Sequence, residues 1–229
     1  MRQIRIRLKM AVVLAVAGIL FAGRESRAQQ PAKPTATFQV EFTNARLLPS
    51  HWVMKFGEDG NGWFDADPSH LTDAASHRIQ VGEIHRAIQL SPAFTAQAFT
   101  VARQRQLFDF PCEGNLKVAF QGTKRLSYSG PEGTGSCEYN YSKDKQIQAL
   151  GDSLLSVENT IVIGASLEML LQHDRLGLDQ AMSDLAINAR NGNALEIGVI
   201  RETLGKIASD ESVLERVRTR ARLLLKATQ

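Results

Sequence analysis

Residues 37–64 read TFQVEFTNARLLPSHWVMKFGEDGNGWF. Phe38, Val40 and Phe42 alternate with Gln39 and Glu41, and Trp52, Met54 and Phe56 repeat the alternation. A period of two puts every apolar side chain on one side of an extended chain, so each run is expected to be a strand with one buried face. Asp59-Gly60-Asn61-Gly62 then supplies residues that tolerate the positive φ of tight turns, and aromatic Trp63-Phe64 follows. Two apolar runs bracketing such a turn predict a hairpin.

Downstream, residues 78–90 alternate at Ile84, Arg86, Ile88 and Leu90, a pattern also compatible with a bend. Ser91-Pro92 opens a helix, because serine accepts from a free first-turn N–H and proline needs no donor at the first helical position. Phe94, Ala98, Val101 and Phe108 share its inner face, and Asp109-Phe110-Pro111 ends it. Leu116, Val118 and Phe120, then Leu126 and Tyr128, then Cys137, Tyr139 and Tyr141 predict a three-stranded meander, with turns at Gly122-Thr123 and Ser129–Gly133. Cys112 and Cys137 are the only cysteines. An even pair without C-x-x-C spacing reads as a disulfide, joining the ends of this small sheet and constraining the unfolded chain by about 3 to 4 kcal/mol.

From Asp144 the period becomes helical. Ile147, Leu150, Leu154, Val157 and Ile161 form one stripe, which Ile163, Leu167, Leu170 and Leu171 continue with a slight drift. Further helices follow around Met182, Leu185, Ala186 and Ala189, around Ile197, Ile200, Leu204 and Ile207, and around Val217, Ala221 and Leu224, with Ser212 and Glu215 in a capping-box spacing. Every aromatic residue precedes position 145. The fold class is therefore α+β: a small disulfide-stapled antiparallel sheet with packed helices, followed by a C-terminal helical bundle. The division runs 37–158 for the α+β domain and 159–229 for the helical region.

Residues 1–28 have the layout of a secretory signal: a basic start, the uncharged run 10–22 and a small-residue end at Ser26-Arg27-Ala28. The apolar run is shorter than the ~20 residues of a bilayer span. Residues 29–36 form a polar, proline-containing tether. The signal holds six basic residues and one acid, which leaves 21 basic against 23 acidic from the 27 and 24 of the whole chain. A mature chain at −2 lacks the clustered positive charge that nucleic acid requires. No membrane span is expected after cleavage, and localisation is expected to be periplasmic or secreted. The sequence does not set an oligomeric state.

The segment 127–157, SYSGPEGTGSCEYNYSKDKQIQALGDSLLSV, resembles a stretch of uncharacterised exported bacterial α+β proteins, and the hairpin-helix order over roughly 37–160 is similar to theirs. The resemblance implies an exported α+β protein and no functional residues.

Candidate chemistry is sparse. Asp59-Gly60-Asn61-Gly62 fails as a calcium loop, since an EF-hand needs an oxygen ligand where Trp63 stands and a carboxylate where His70 stands. Asp59, Asp65 and Asp67 remain a loose cation possibility. His51, His70, His77 and His85 lack the i,i+2 or i,i+4 spacing of metal pairs, and no G-x-S-x-G elbow or phosphate loop occurs, so neither a metal nor a cofactor is implied. Asn140-Tyr141-Ser142 matches a glycosylation sequon. Arg216, Arg218, Arg220, Arg222 and Lys226 offer either a docking face for an acidic partner or a solvated helix flank. The expected function is a non-catalytic module that binds a protein or envelope component, with Trp52, Trp63 and Phe64 as its contact surface if they are exposed, or as core if they are not. The alternatives are a hydrolase or metal-dependent enzyme using His51, His70, His77 or His85 with Asp65 or Asp67, and a purely structural envelope protein.

Overall fold

The alternating runs form β1 (Thr37–Thr43), β2 (His51–Gly57) and β3 (Asn61–Ala66) in a computed structural model that describes residues 35–67, 82–115 and 117–228. The signal segment, His70, His77 and most of the tether lie outside these residues. The β2–β3 turn is closed by Gly60 at φ 80°, where a Cβ would stand 2.4 Å from the Leu90 carbonyl oxygen. The ambiguous 78–90 stretch supplies β4 (Ile84–Gln89), and β5 (Thr123–Gly130) and β6 (Gly133–Tyr139) form a hairpin. All six strands join one antiparallel sheet in the order β4-β3-β2-β1-β5-β6.

The register stacks three inward rows across the sheet. They are Ile84, Ala66, Trp52, Phe42, Lys124 and Tyr139; Arg86, Phe64, Met54, Val40, Leu126 and Cys137; and Ile88, Gly62, Phe56, Phe38, Tyr128 and Gly135. Helix α1 (Pro92–Gln104) covers the third row: the Phe99 ring lies 6.2, 6.0 and 6.1 Å from those of Phe38, Phe56 and Tyr128. Its cap is the expected one, with Phe94 N–H donating to the Ser91 hydroxyl at 3.2 Å.

Two expectations are corrected here. Phe108 is not on α1; the helix ends at Gln104 and Gln106–Phe108 form a single turn with φ of 50°, 57° and 68°. Left-handed backbone costs roughly 1–2 kcal/mol per non-glycine residue. What it gains is a fully buried Phe108 ring, edge-on to Phe38 at 5.5 Å. The predicted first strand of the meander does not form either. Residues 117–122 have no regular structure, with Val118 and Phe120 exposed, and β5 instead takes the free edge of β1, pairing Leu126 with Val40 and Tyr128 with Phe38. The disulfide Cys112–Cys137, with Cα atoms 5.6 Å apart, therefore clamps an irregular segment under edge strand β6 rather than joining the ends of a separate sheet.

Helix α2 (Lys145–His173) starts at Asp144, whose side chain accepts from the N–H groups of Gln146 and Ile147. Gly151 sits against Tyr139 and Lys124 of β6 and β5, while Gly164 sits against Arg86 of β4. Thirteen residues of helix rise ~20 Å, which matches the four strand spacings, ~19 Å, between β5 and β4. The helix thus crosses the strands. The sheet core takes its residues through Ile161, and a second core begins at Leu167 with Leu170, Leu178, Met182, Leu185, Ile200, Leu204, Ile207, Val217 and Ala221. The second core joins the end of α2 to α3 (Gly177–Arg190), the 3₁₀ turn Ile197–Ile200, α4 (Arg201–Ser209) and α5 (Glu215–Lys226). The expected division at 158/159 falls inside unbroken α2. Ser212 does not cap α5; its N–H and hydroxyl both turn back to Asp210.

With the cysteines 25 positions apart, the double variant C112S/C137S should lose about 3 kcal/mol of unfolding free energy in urea titration. An unchanged midpoint would mean that packing alone holds the 109–114 segment on β6.

Candidate functional site on the outer face of the sheet

With the inward parity spent on the core, the other parity of each strand forms an outer face. One outer row runs His85, Asp65, Val53, Glu41, Arg125 and Glu138, and the next runs Ala87, Trp63, Lys55, Gln39, Ser127 and Ser136. These residues are half-buried or exposed, and all but Val53 and Ala87 carry hydrogen-bonding side chains. A shallow groove of about 220 Å³ lies between Glu41, Thr43, Thr123, Arg125 and Glu138.

The three aromatic candidates separate. Trp52 is 1% exposed and stacks on Phe42 at 5.5 Å, and Phe64 is fully buried 5.7 Å from Trp52. Both belong to the core and neither can meet a partner. Trp63 has the opposite parity and stands half-buried on the outer face beside Lys55 and Ala87.

His51 and His85 each find carboxylates. His51 at the start of β2 places Nε2 3.1 Å from Glu41 of β1 and Nδ1 2.9 Å from Asp67, just past β3. Partial burial pulls the ring toward neutrality, but the hydrogen bonds and charges of Glu41 and Asp67 outweigh it, so its pKa is raised above the ordinary 6.5. His85 bonds Asp65 across β3–β4 through Nδ1. The structure therefore brings together two of the four candidate histidines with both candidate aspartates, but as a bridge and a pair. Glu41 and Asp67 face opposite nitrogens of His51 and cannot meet one ion through either. Among the described residues no three His, Cys, Asp or Glu side chains converge as a metal site. Asp59 lies in the β2–β3 turn, whereas Asp65 is four residues, ~13 Å of strand, beyond the start of β3 at Asn61. The Asp59 carboxyl instead accepts from the side-chain and backbone N–H groups of Asn61, which hold it below the usual range.

Other candidates are absorbed by internal contacts. Arg216 and Arg220 both bind Asp179 of α3, and Arg218 and Arg222 both bind Glu215 within α5 itself, so four of the five C-terminal cations are already paired. The sequon asparagine Asn140 accepts from Gln121 N–H and donates to the Ala119 carbonyl, and Ser142 is 2% exposed, so the sequon is engaged in the fold.

Two buried charges escaped the sequence reading. Lys124 is 1% exposed, donates to the Asn140 carbonyl at 3.2 Å and lies 5.3 Å from the Tyr139 ring centre. Burial lowers its pKa against the opposing charges of Asp152 and Glu113. Its parity with Leu126 and Tyr128 was the available signal. Glu158 lies one turn from Leu154 and Ile161 on α2, and burial pushes its carboxyl up to about 8. It has no hydrogen-bond or ion-pair partner among the described residues.

A carboxyl whose folded pKa exceeds its unfolded value binds its proton more tightly when folded. Glu158 therefore costs stability progressively as pH rises from about 4.5 through about 8. The isosteric, uncharged variant E158Q should match the native protein near pH 4 and exceed it by about 1–3 kcal/mol at pH 9, a range discounted for the part of the side chain that remains at the surface. An equal gap at both pH values, read by urea unfolding, would show the carboxyl to be solvated.

No protein-family model matches the chain, and no curated protein matches it, so what the protein does is argued from its own residues.

Proposed function

We propose that the protein is exported, to the periplasm or the medium, and acts there as a non-catalytic module that binds a protein or an envelope component through the outer face of its sheet. The carrying observation is Trp63. Every other large aromatic of the strands points into the core, while this one stands outward among Lys55, Gln39 and the Asp65–His85 pair. A rigid aromatic flanked by hydrogen-bonding groups on a fixed sheet is the kind of anchor that dominates binding energy at interfaces, because little side-chain entropy is lost on contact.

Export is supported by the three-part signal layout of residues 1–28 and by the Cys112–Cys137 disulfide, which suits an oxidising compartment. The recovered protein is expected to begin at Gln29 and to carry no free thiol, both read by intact mass with and without reductant.

Lightly cross-linked capture of the tagged 29–229 protein from its native envelope should yield one partner near stoichiometry. W63A should reduce that recovery about tenfold or more, the effect of losing an aromatic hot spot, while leaving thermal unfolding unchanged. Equal recovery by the native protein and W63A would remove the outer face from the binding role.

A further inference from the structure

Among the described residues His51 is placed unlike any other titratable group of the outer face. It bridges the two strands that flank its own: Glu41 of β1 lies at one ring nitrogen and Asp67, at the end of β3, at the other. The backbone at the same corner is closed by two bonds, Asp67 N–H to the His51 carbonyl at 3.2 Å and Asn44 N–H to the Ser50 carbonyl at 2.7 Å. An imidazolium has two N–H donors and neutral imidazole has one. We infer that His51 is a pH-sensitive clasp, which when protonated holds Glu41 and Asp67 together at one corner of the sheet and when neutral can hold only one of them.

The surrounding charges fix the direction of the switch. β1 contributes Glu41; the end of β3 contributes Asp65 and Asp67; β2 itself contributes Lys55. Beyond these, Arg125 of β5 is spent on Glu138 of β6 and His85 of β4 on Asp65. Among the described residues the nearest unneutralised charges are thus carboxylates, and loss of the His51 proton leaves Glu41 or Asp67 without its imidazole donor. In keeping with this geometry, the His51 pKa is raised above 6.5 in the folded protein. A histidine so shifted contributes stability that is full below the unfolded value and is lost as pH rises through the folded one. The corner is latched below the raised folded pKa of His51 and released above it. His85 makes a built-in comparison: it faces a single carboxylate, Asp65, through one ring nitrogen.

The test follows the His51 ring Cε1–H by NMR against pH in the purified protein, together with exchange of the Asp67 amide corrected for its intrinsic rate. His51 is expected to titrate above 6.5 and to fall toward it in E41Q and in D67N. Protection of the Asp67 amide is expected to drop about two- to fivefold between pH 6 and pH 8.5, the range that a part-exposed ion pair supports, with no such pH dependence in H51Q. H85Q should keep the drop. A His51 titration at or below 6.5, or a drop that persists in H51Q, would overturn the clasp.

Discussion

Helix α2 lies across the strands, and that crossing constrains almost everything else. A helix running along two strands would need only those two to be apolar beneath it. One that spans from β5 to β4 requires the same parity to be apolar in every strand it passes, because a one-residue slip in any of them would turn its whole apolar set to solvent. Apart from Lys124 on β5 and Arg86 on β4, the inward rows satisfy this in five registers at once, with Phe42 beside Trp52 and Val40 beside Met54. Where the helix passes closest, side chains give way: a Cβ on Gly151 would stand 2.1 Å from the Tyr139 hydroxyl, and one on Gly164 2.2 Å from Ile200 Cγ2. These glycines are there for proximity, and their helix-propensity cost of ~1 kcal/mol each is offset by the burial that close approach permits.

The helix also joins the two cores, and polar contacts reinforce it at their junction. Residues 193–196 are stitched along α2 by Asn159 to the Asn193 carbonyl, by Thr160 to the Leu195 carbonyl, and by Leu195 N–H to the Ser156 carbonyl. Glu196 then reaches the start of α1, accepting from both the N–H and the hydroxyl of Ser91 at 2.6 and 2.8 Å. Glu196 itself sits at φ 52°, a strained backbone that two charge-assisted bonds can sustain. On the other flank Arg86 of β4 and Thr203 of α4 share the Glu168 carboxylate. Such part-buried groups add little to stability when intact but penalise any arrangement that leaves one of them unpaired. They set how the helical half is seated on the sheet, which apolar packing alone leaves degenerate.

What the sequence made legible divides along the same lines. Strands β1 and β2, the Asp59–Gly62 turn, the Ser91-Pro92 cap, the disulfide and the aliphatic helices are all written in local patterns of spacing and capping, and they are where the structure has them. The pairing of β5 with β1 was not legible, because it joins positions 80 to 92 residues apart and any strand of suitable parity would serve. The alternation at Val118 and Phe120 misled for the complementary reason: β5, its expected neighbour, is already paired with β1 on one side and β6 on the other. The left-handed turn at Gln106–Phe108 was invisible because none of its residues favours positive φ; tertiary burial of Phe108 imposes it. The drift of the α2 stripe was legible, and its meaning is now physical: the buried face rotates from the sheet toward the helical half between Ile161 and Leu167.

The outer face was the least legible part, and parity explains why. Trp63 and Phe64 are adjacent in sequence and equally apolar, so composition treats them as one feature, yet a strand sends them to opposite sides. Only the register with β2 and β4 decides which belongs to the core. The same holds for the charges: Glu41, His51, Asp65, Asp67 and His85 are scattered over 45 positions, and no spacing rule for helices or single strands links them. They meet because antiparallel pairing brings β1, β2, β3 and β4 side by side with one parity outward. A surface assembled across strands carries no local signature, so in a sheet open on one side the residues best placed to meet a partner are those that a reading along the chain is least able to group.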